Sequence, residues 1–320
     1  MIPLIVVEGP TASGKTSLAI EIAKALNGEI VSADSMQIYK HMDIATAKPS
    51  VDEMQNIPHH LLDFLDISEK YSVSDYVNDA TTAINNIVSR SKIPILCGGT
   101  GLYIDTLVKG IDFTSSGENS KIREQLSEIY DQNGGEVLWE KLNKLDPEYA
   151  QKVHPNNKVR LIRALEIYES DGLTMSEQYK NSRKDSPYDL CRIYLEFQDR
   201  SKLYERINLR VDKMIERGLE EEARDILSRD TSITAKNAIG YKELRLYFDG
   251  FQSFDDAVKM IKQSSRRYAK RQITWFKREP DLYKFSPDTM TQSELVHECI
   301  NTIINRYERN EYFCLVTKRL

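Results

Sequence analysis

The chain has 320 residues, 40% of them hydrophobic, enough to bury a full core and still leave length for an inserted lobe. Its formal net charge of −5 excludes a surface coated in cations, but not a local basic patch. The apolar run Leu4 to Val7 is far too short to span a bilayer, and Met1-Ile2-Pro3 lacks the basic start and long apolar centre of a secretory leader, so a cytoplasmic protein with no membrane attachment is expected.

Residues 4 to 7 are apolar and mostly β-branched, and they run into Gly9-Pro10-Thr11-Ala12-Ser13-Gly14-Lys15-Thr16. The next stretch, "KTSLAIEIAKALN", repeats Leu18, Ile22, Ala25 and Leu26 at helical spacing. Strand, loop and helix thus frame G-x-x-x-x-G-K-T, a specific signal for a polyphosphate. Its glycines let the backbone wrap an anion, Lys15 neutralises charge, and Thr16 can hold Mg²⁺. "GEIVSAD" predicts a short strand ending at Asp34, a helix follows over about 74–89, and "KIPILCGGTG" repeats the strand-to-glycine transition around Thr100. Strands alternating with helices imply a parallel sheet.

From about Thr114 to Pro187 the pattern becomes wholly amphipathic, as in "SKIREQLSEIYDQ" and "NKVRLIRALEIYES", and "LCRIYLEF" then predicts a returning strand. The expected fold class is α/β: a P-loop NTPase-like parallel sheet flanked by helices, residues 1–113 and 188–320, with an inserted all-helical domain over 114–187. The last stretch, "NEYFCLVTKRL", reads as a strand or a frayed tail.

Asp34 has two readings, a general base or a holder of Mg²⁺ or its water, as in kinases. "SADSMQIY" carries no second acid of the kind a nucleotide hydrolase uses, and "CGGTGLY" offers one hydroxyl among glycines, suited to close approach to a diphosphate. The stretch "KMIKQSSRRYAKRQITWFKR" sets Lys259, Lys262, Arg266, Arg267, Lys270, Arg271, Lys277 and Arg278 beside Tyr268, Trp275 and Phe276, with no acids to face. Cations interleaved with aromatics suit RNA phosphates and bases. The same aromatics, with Ile261 and Ile273, equally suit a helix docked on the core. His59 and His60 have no third metal ligand nearby, and neighbours on a strand point to opposite faces, so both are expected to be structural. Cys97, Cys191, Cys299 and Cys314 form no C-x-x-C pair and read as ordinary thiols.

Seven stretches in order, "GPTASGKT", "SADSMQIYKHMDIATAKP", "PHHLLDFLDISEKYSVSDY", "LCGGTGLYI", "RLIRALEIYE", "IGYKEL" and "RRYAKRQITWF", resemble the signature blocks of bacterial-type tRNA dimethylallyltransferases, also called tRNA isopentenyltransferases. The resemblance implies transfer of a prenyl group from dimethylallyl diphosphate to N6 of the adenosine 3′ of the anticodon, with Mg²⁺ as cofactor and the tRNA anticodon stem-loop as partner; a monomer is expected. It implies a donor diphosphate gripped by Gly9 through Thr16, Asp34 as base, and Thr100 and Arg210 at the reacting groups, with Arg206 as rival to Arg210. Contacts to tRNA fall, by the same resemblance, to Asp34, Ser35, Met36, Gln37, Thr100 and Arg123. They extend to Val159, Arg160, Leu161, Ile162 and Arg163, and to Asn237, Ala238, Ile239, Gly240, Tyr241 and Lys242, and they include Arg266, Arg267, Lys270 and Arg271. Ala45 stands where the family usually has glycine, which puts the detail of that loop in doubt.

Two other enzyme readings use the same first motif. A small-molecule P-loop kinase gives no role to the basic stretch, and an adenylate isopentenyltransferase acting on free AMP gives none to the long insert. A non-catalytic RNA-binding relative would not need Lys15, Asp34 and Thr100 together.

Overall fold

The computed structural model of the chain describes residues 1–111, 119–181 and 186–317. It resolves into two compact units, Met1–Val108 with Pro187–Leu320, and Lys109–Ser186. The expected domain change between residues 113 and 114 lies outside the described residues.

The strands of the first unit are β1 (Ile2–Glu8), β2 (Gly28–Ala33), β3 (His59–His60), β4 (Ile93–Gly98), β5 (Tyr188–Leu195) and β6 (Tyr283–Phe285). Helices α1 (Lys15–Leu26), α2 (Val51–Met54), α3 (Val73–Ser89) and α4 (Gly101–Val108) alternate with the early strands. The second unit holds α5 (Ser120–Asn133), α6 (Gly135–Leu145), α7 (Pro147–Ala150), α8 (Lys158–Asp171) and α9 (Met175–Asn181). The chain then returns through α10 (Arg200–Glu216), α11 (Leu219–Ser228), α12 (Ile233–Lys236), α13 (Tyr241–Phe248), α14 (Phe254–Phe276), α15 (Gln292–Tyr307) and α16 (Glu311–Thr317).

All strand pairings are parallel, in the order β3-β2-β4-β1-β5-β6, with Val7 of β1 opposite both Cys97 and Ile193. A parallel sheet is covered on both faces, which explains why β1 is a near-continuous apolar run. Period-two alternation splits it. Ile5 and Val7 pack with Leu18 and Ile22 of α1 and Ile303 of α15, whereas Leu4 and Val6 pack with Tyr76 of α3 and Ile104 of α4. After β1 the chain thus turns to one face, and after the adjacent β4 to the other. Their carboxyl ends flank a topological switch point, where open α/β sheets bind ligands.

Two short elements escape the sequence pattern. β6 is three residues long and largely exposed, and it exists only because Glu196 and the end of β5 supply its hydrogen-bonding partners. The terminal stretch is a helix, α16, rather than a strand or frayed tail: Phe313 and Val316, three apart on one face, are buried in the α1 side of the core. Its last three residues lie outside the described residues. Cys97, Cys191 and Cys299 are buried thiols, each pushed up to about 12 by that burial.

An ionic cluster is buried in the core of the first unit. Arg192 of β5 reaches Glu8 through Nε and Nη2 at 3.0 and 2.9 Å, Glu279 at 2.9 Å and Asp105 at 3.5 Å, and Asp105 also accepts the Trp275 indole N–H at 2.8 Å. This ties the strand before the glycine loop to α4 and to the end of α14. Burial, opposed by Arg192, pushes the Glu8 carboxyl from 4.5 to about 7.

In the second unit Leu126, Leu138, Leu142, Leu161 and Leu165 form a small core. The side chains of Leu161 and Ile162 are buried within it, so they cannot meet RNA as the resemblance implied; Val159 and Arg160 are the members of that block that face outward. Glu166 is fully buried and receives the Asn119 amide together with the guanidiniums of Arg123 and Arg163, at 2.9 to 3.0 Å. Although burial alone would raise it, these donors hold Glu166 below the usual carboxylate range.

Replacing Arg192 with Met removes the guanidinium shared by three acids, and breaking such a buried pair should cost about 3–5 kcal/mol in urea unfolding. In the native protein the folded state keeps a proton on Glu8 that the unfolded chain releases above 4.5, so stability should fall as pH rises from 4.5 to about 7 and then level off. Glu8→Gln should flatten that window.

Candidate functional site

The loop Gly9–Thr16 leaves β1 and enters α1 through two left-handed residues, Ala12 (φ 62°) and Gly14 (φ 95°). Gly14 occupies the N-cap with no side chain to cap the helix, so the first amides of α1 open into the loop. Lys15 Nζ donates to Pro10 O at 2.7 Å, and Ser13 Oγ is buried with no hydrogen-bond partner, a donor that an anion in the loop would satisfy.

The second glycine turn is fastened to the first by a residue the sequence reading passed over. Gln272 of α14 is buried; its Oε1 accepts the Thr11 N–H at 2.8 Å and its Nε2 donates to Gly99 O at 2.9 Å. No local pattern marks it, since it is one amide in a run of cations. Glycine at 101 is required by close approach: a Cβ there would come within 2.4 Å of Trp275. Thr100 Oγ1 accepts the Ser35 N–H at 3.1 Å, and the Tyr268 side chain lies near those of Thr100 and Gln272. Thr100 therefore couples the turn to the Asp34 segment.

Above these loops lies a cavity of about 270 Å³. Thr11, Asp34, Arg210, Tyr268 and Arg271 line its polar part, and Ile207, Val211, Met214, Leu219 and Ile261 its apolar part. Asp34 Oδ1 accepts the amides of Met36 at 2.9 Å and Gln37 at 3.4 Å, which orients the carboxylate. Ser35 and Met36 line the cavity, whereas the Gln37 amide turns away to the carbonyls of Thr46 and Ala47. Both candidate arginines come to the site by different routes: Arg206 donates to Ala12 O at 3.0 Å in the glycine loop, and Arg210 lies in the cavity, with Nη2 3.4 Å from Thr46 O. Burial lowers Arg210 against the opposing pull of Asp34.

Asn237, Ala238, Ile239 and Lys242 form another wall, while Tyr241 is fully buried beneath it with its hydroxyl on Glu222. Ala45 lines the cavity without strain, because its φ lies outside the left-handed region where glycine would be needed.

On α14 the expectation of cations facing no acids is overturned: Lys259 pairs with Asp256 at 2.9 Å and Lys262 with Asp212 at 2.5 Å, acids one turn away and on the adjacent α10. Arg266 donates to Asn208 Oδ1 at 2.6 Å, and Arg267, Lys270 and Arg271 are exposed. Ile261 and Phe276 are buried and Trp275 packs on the core, so most of the apolar face docks the helix; Tyr268 is the aromatic that reaches the cavity. His60 Nε2 meets Glu29 at 2.8 Å and His59 Nδ1 meets Ile57 O at 2.8 Å, roles in β3 and its approach. Arg123, Val159, Arg160 and Arg163 belong to the second unit and take no part in this cavity's lining.

Residues 37–279 match the family model for IPP transferase. The chain is 43% identical to the tRNA dimethylallyltransferase of Alkaliphilus oremlandii, over 93% of this chain and 95% of that protein, and 47% identical to that of Caldanaerobacter subterraneus subsp. tengcongensis, over 86% and 89%. Among solved structures it is similar to the full-length tRNA isopentenylpyrophosphate transferase of Bacillus halodurans, with TM-score 0.73, 40% identity and coverage of 96% and 97%. It is also similar to a eukaryotic dimethylallyltransferase acting on tRNA, with TM-score 0.82, 30% identity and coverage of 97% and 80%.

Burial above all, with Arg210 adding repulsion, pulls Lys15 from 10.5 down to about 8. The cation that would meet an anion is therefore lost as pH rises through about 8. Calorimetric titration with inorganic diphosphate should show affinity falling between pH 7 and 9, and Lys15→Arg, which stays charged, should lack that part of the decline.

Proposed function

The chain belongs to the IPP transferase family and is a tRNA-modifying prenyltransferase, and from that premise we propose its full reaction: transfer of a dimethylallyl group from dimethylallyl diphosphate to N6 of the adenosine 3′ of the anticodon, with release of diphosphate. The observation that carries this reading is a single cavity that joins Thr11, Asp34 and Arg210 to an apolar wall. Ile207, Val211 and Met214 follow one another along one side of α10 over about 10 Å and line the cavity with Arg210 and Leu219. A cation beside such an apolar side suits a diphosphate joined to a branched hydrocarbon.

Adenine N6 is a weak nucleophile because its lone pair is delocalised into the ring. In the proposed step the N6–carbon bond forms as the allylic carbon–oxygen bond breaks, the N6 proton passes to the Asp34 carboxylate, and the bonding electrons leave with diphosphate. Lys15, Arg210 and the α1 amides face the charge that develops on the leaving group. Among the described residues no group of three or more His, Cys, Asp or Glu side chains could cage a metal, so a Mg²⁺ held by Thr16 would be completed by diphosphate oxygens and water, as is usual for this ion. When bound it would supply further neutralisation of the leaving group.

An adenosine stacked in a loop must swing out to bring N6 into the cavity, at a cost of a few kcal/mol. Contacts by Asp34, Ser35 and Met36, by Asn237, Ala238, Ile239 and Lys242, by the exposed Arg267, Lys270 and Arg271, and by Val159 and Arg160 of the second unit would offset it. The reading includes a monomer working in the cytoplasm; among the described residues no helix is long and apolar enough to cross a membrane.

An anticodon stem-loop with an unpaired adenosine should be prenylated far faster than AMP, measured with labelled dimethylallyl diphosphate; equal rates would sink the assignment. Asp34→Asn should lower turnover by about 10²–10⁴-fold with tRNA binding nearly intact. Loss of Mg²⁺ affinity without that split would instead make Asp34 a metal holder. Arg160→Ala should reduce the salt slope of tRNA binding by about one, as for the loss of a phosphate contact.

A further inference from the structure

Glu222, on the first turn of α11, accepts more hydrogen bonds than any other carboxylate near the cavity. Its Oε2 takes the amides of Asp43 at 2.8 Å and Ile44 at 2.7 Å, and its Oε1 takes the amide of Ala45 at 2.9 Å and the Tyr241 hydroxyl at 2.8 Å. Three successive backbone N–H groups converge on it as on a bound anion. The two things it joins are two walls of the cavity, because Ala45 and Thr46 line one side and Asn237 to Ile239 with Lys242 line another. The two walls come close together: a Cβ at Gly240 would stand in van der Waals contact with the Ala45 Cβ, at 3.6 Å.

The loop it anchors is itself an anchor. The Thr46 carbonyl accepts the Gln37 amide at 3.1 Å and lies 3.4 Å from Arg210 Nη2, so its position is felt by both the Asp34 segment and the cavity arginine. We infer that Glu222 is a positioning residue that holds residues 43–46 and 237–242 in register, and through Thr46 sets Gln37 and Arg210 for transfer to the acceptor base. This rests on the reaction proposed above. It touches neither substrate; it acts through the loop. Glutamine at 222 would keep the shape, but it offers one acceptor oxygen and turns an NH₂ toward groups that are all donors.

The test uses the full chain with Glu222→Gln and two readouts. By hydrogen exchange, amides among residues 43–45 should lose protection by about tenfold or more, since one of the two oxygens that accept them is replaced by an NH₂ donor. On the stem-loop, kcat should fall by about 10²-fold, the usual effect of a small misplacement, while the Kd for inorganic diphosphate rises only about threefold, because the glycine loop and Lys15 are untouched and only Arg210 loses its setting. Tyr241→Phe keeps the three amide bonds and cuts only the link between the walls; it should lower kcat by about tenfold with residues 43–45 still protected. Wild-type kcat in Tyr241→Phe overturns the inference even if the glutamine variant fails to fold. So does wild-type protection of residues 43–45 in Glu222→Gln. A wild-type protein inactive on stem-loop and AMP alike would overturn the reaction beneath the inference, and the exchange measurement separates that failure from a failure of Glu222 to hold the loop.

Discussion

The side-chain amide of Gln272 holds the site together. Its carbonyl oxygen takes an N–H from the glycine loop after β1 and its NH₂ reaches a carbonyl of the glycine turn after β4, so α14 bridges the two loops at the switch point of the sheet. An amide is suited to this because it presents one acceptor and two donors in a single plane, and the two backbone groups are of opposite kind. Once Gln272 is seated, Tyr268 one turn earlier reaches the cavity, and Trp275 three residues later packs over Gly101 and bonds Asp105. The Arg192 cluster beneath repeats the same linkage in ionic form, joining β1, α4 and the end of α14. A change in α14 is therefore felt in both glycine turns.

Around this frame, charge is arranged asymmetrically. Lys15 and Arg210 are close enough to repel one another, and burial disfavours both, so the glycine-loop end of the cavity is set up to gain from an anion. Asp34 attracts both cations and has its carboxylate oriented by two amides of its own turn. The base role proposed for Asp34 needs a fixed direction, and those amides supply one without the use of a further side chain.

The second unit answers to its own interior. Arg123 and Arg163 are bound to Glu166, a carboxylate that would be costly to bury without them. That leaves Val159 and Arg160, at the start of α8, as the outward part of the block. Arginines that look alike in the sequence thus divide between holding the unit's core and facing solvent.

By itself the sequence determined the elements whose signal is local. The loop Gly9–Thr16 needs glycines, a lysine and a hydroxyl at set spacing between an apolar strand and an amphipathic helix, and the parallel sheet with its helical insert follows from periodicity alone. Ordered blocks also pointed to the family, and with it to Asp34, Thr100 and Arg210. Tertiary structure decided what depends on partners far along the chain. Glu222 reads as one of three acids on a helix until residues 43–45 bring their amides to it, and Gln272 reads as a polar break in a basic run until two loops close on it. Lys259 and Lys262 seemed free only because their acids lie a turn away and on another helix. The tail became a helix because Phe313 and Val316 found an apolar surface on the α1 face of the sheet, a surface that no window of sequence contains. Spacing encodes what a segment can form, whereas hydrogen-bond and ion-pair partners are set by packing between segments that are distant in the chain.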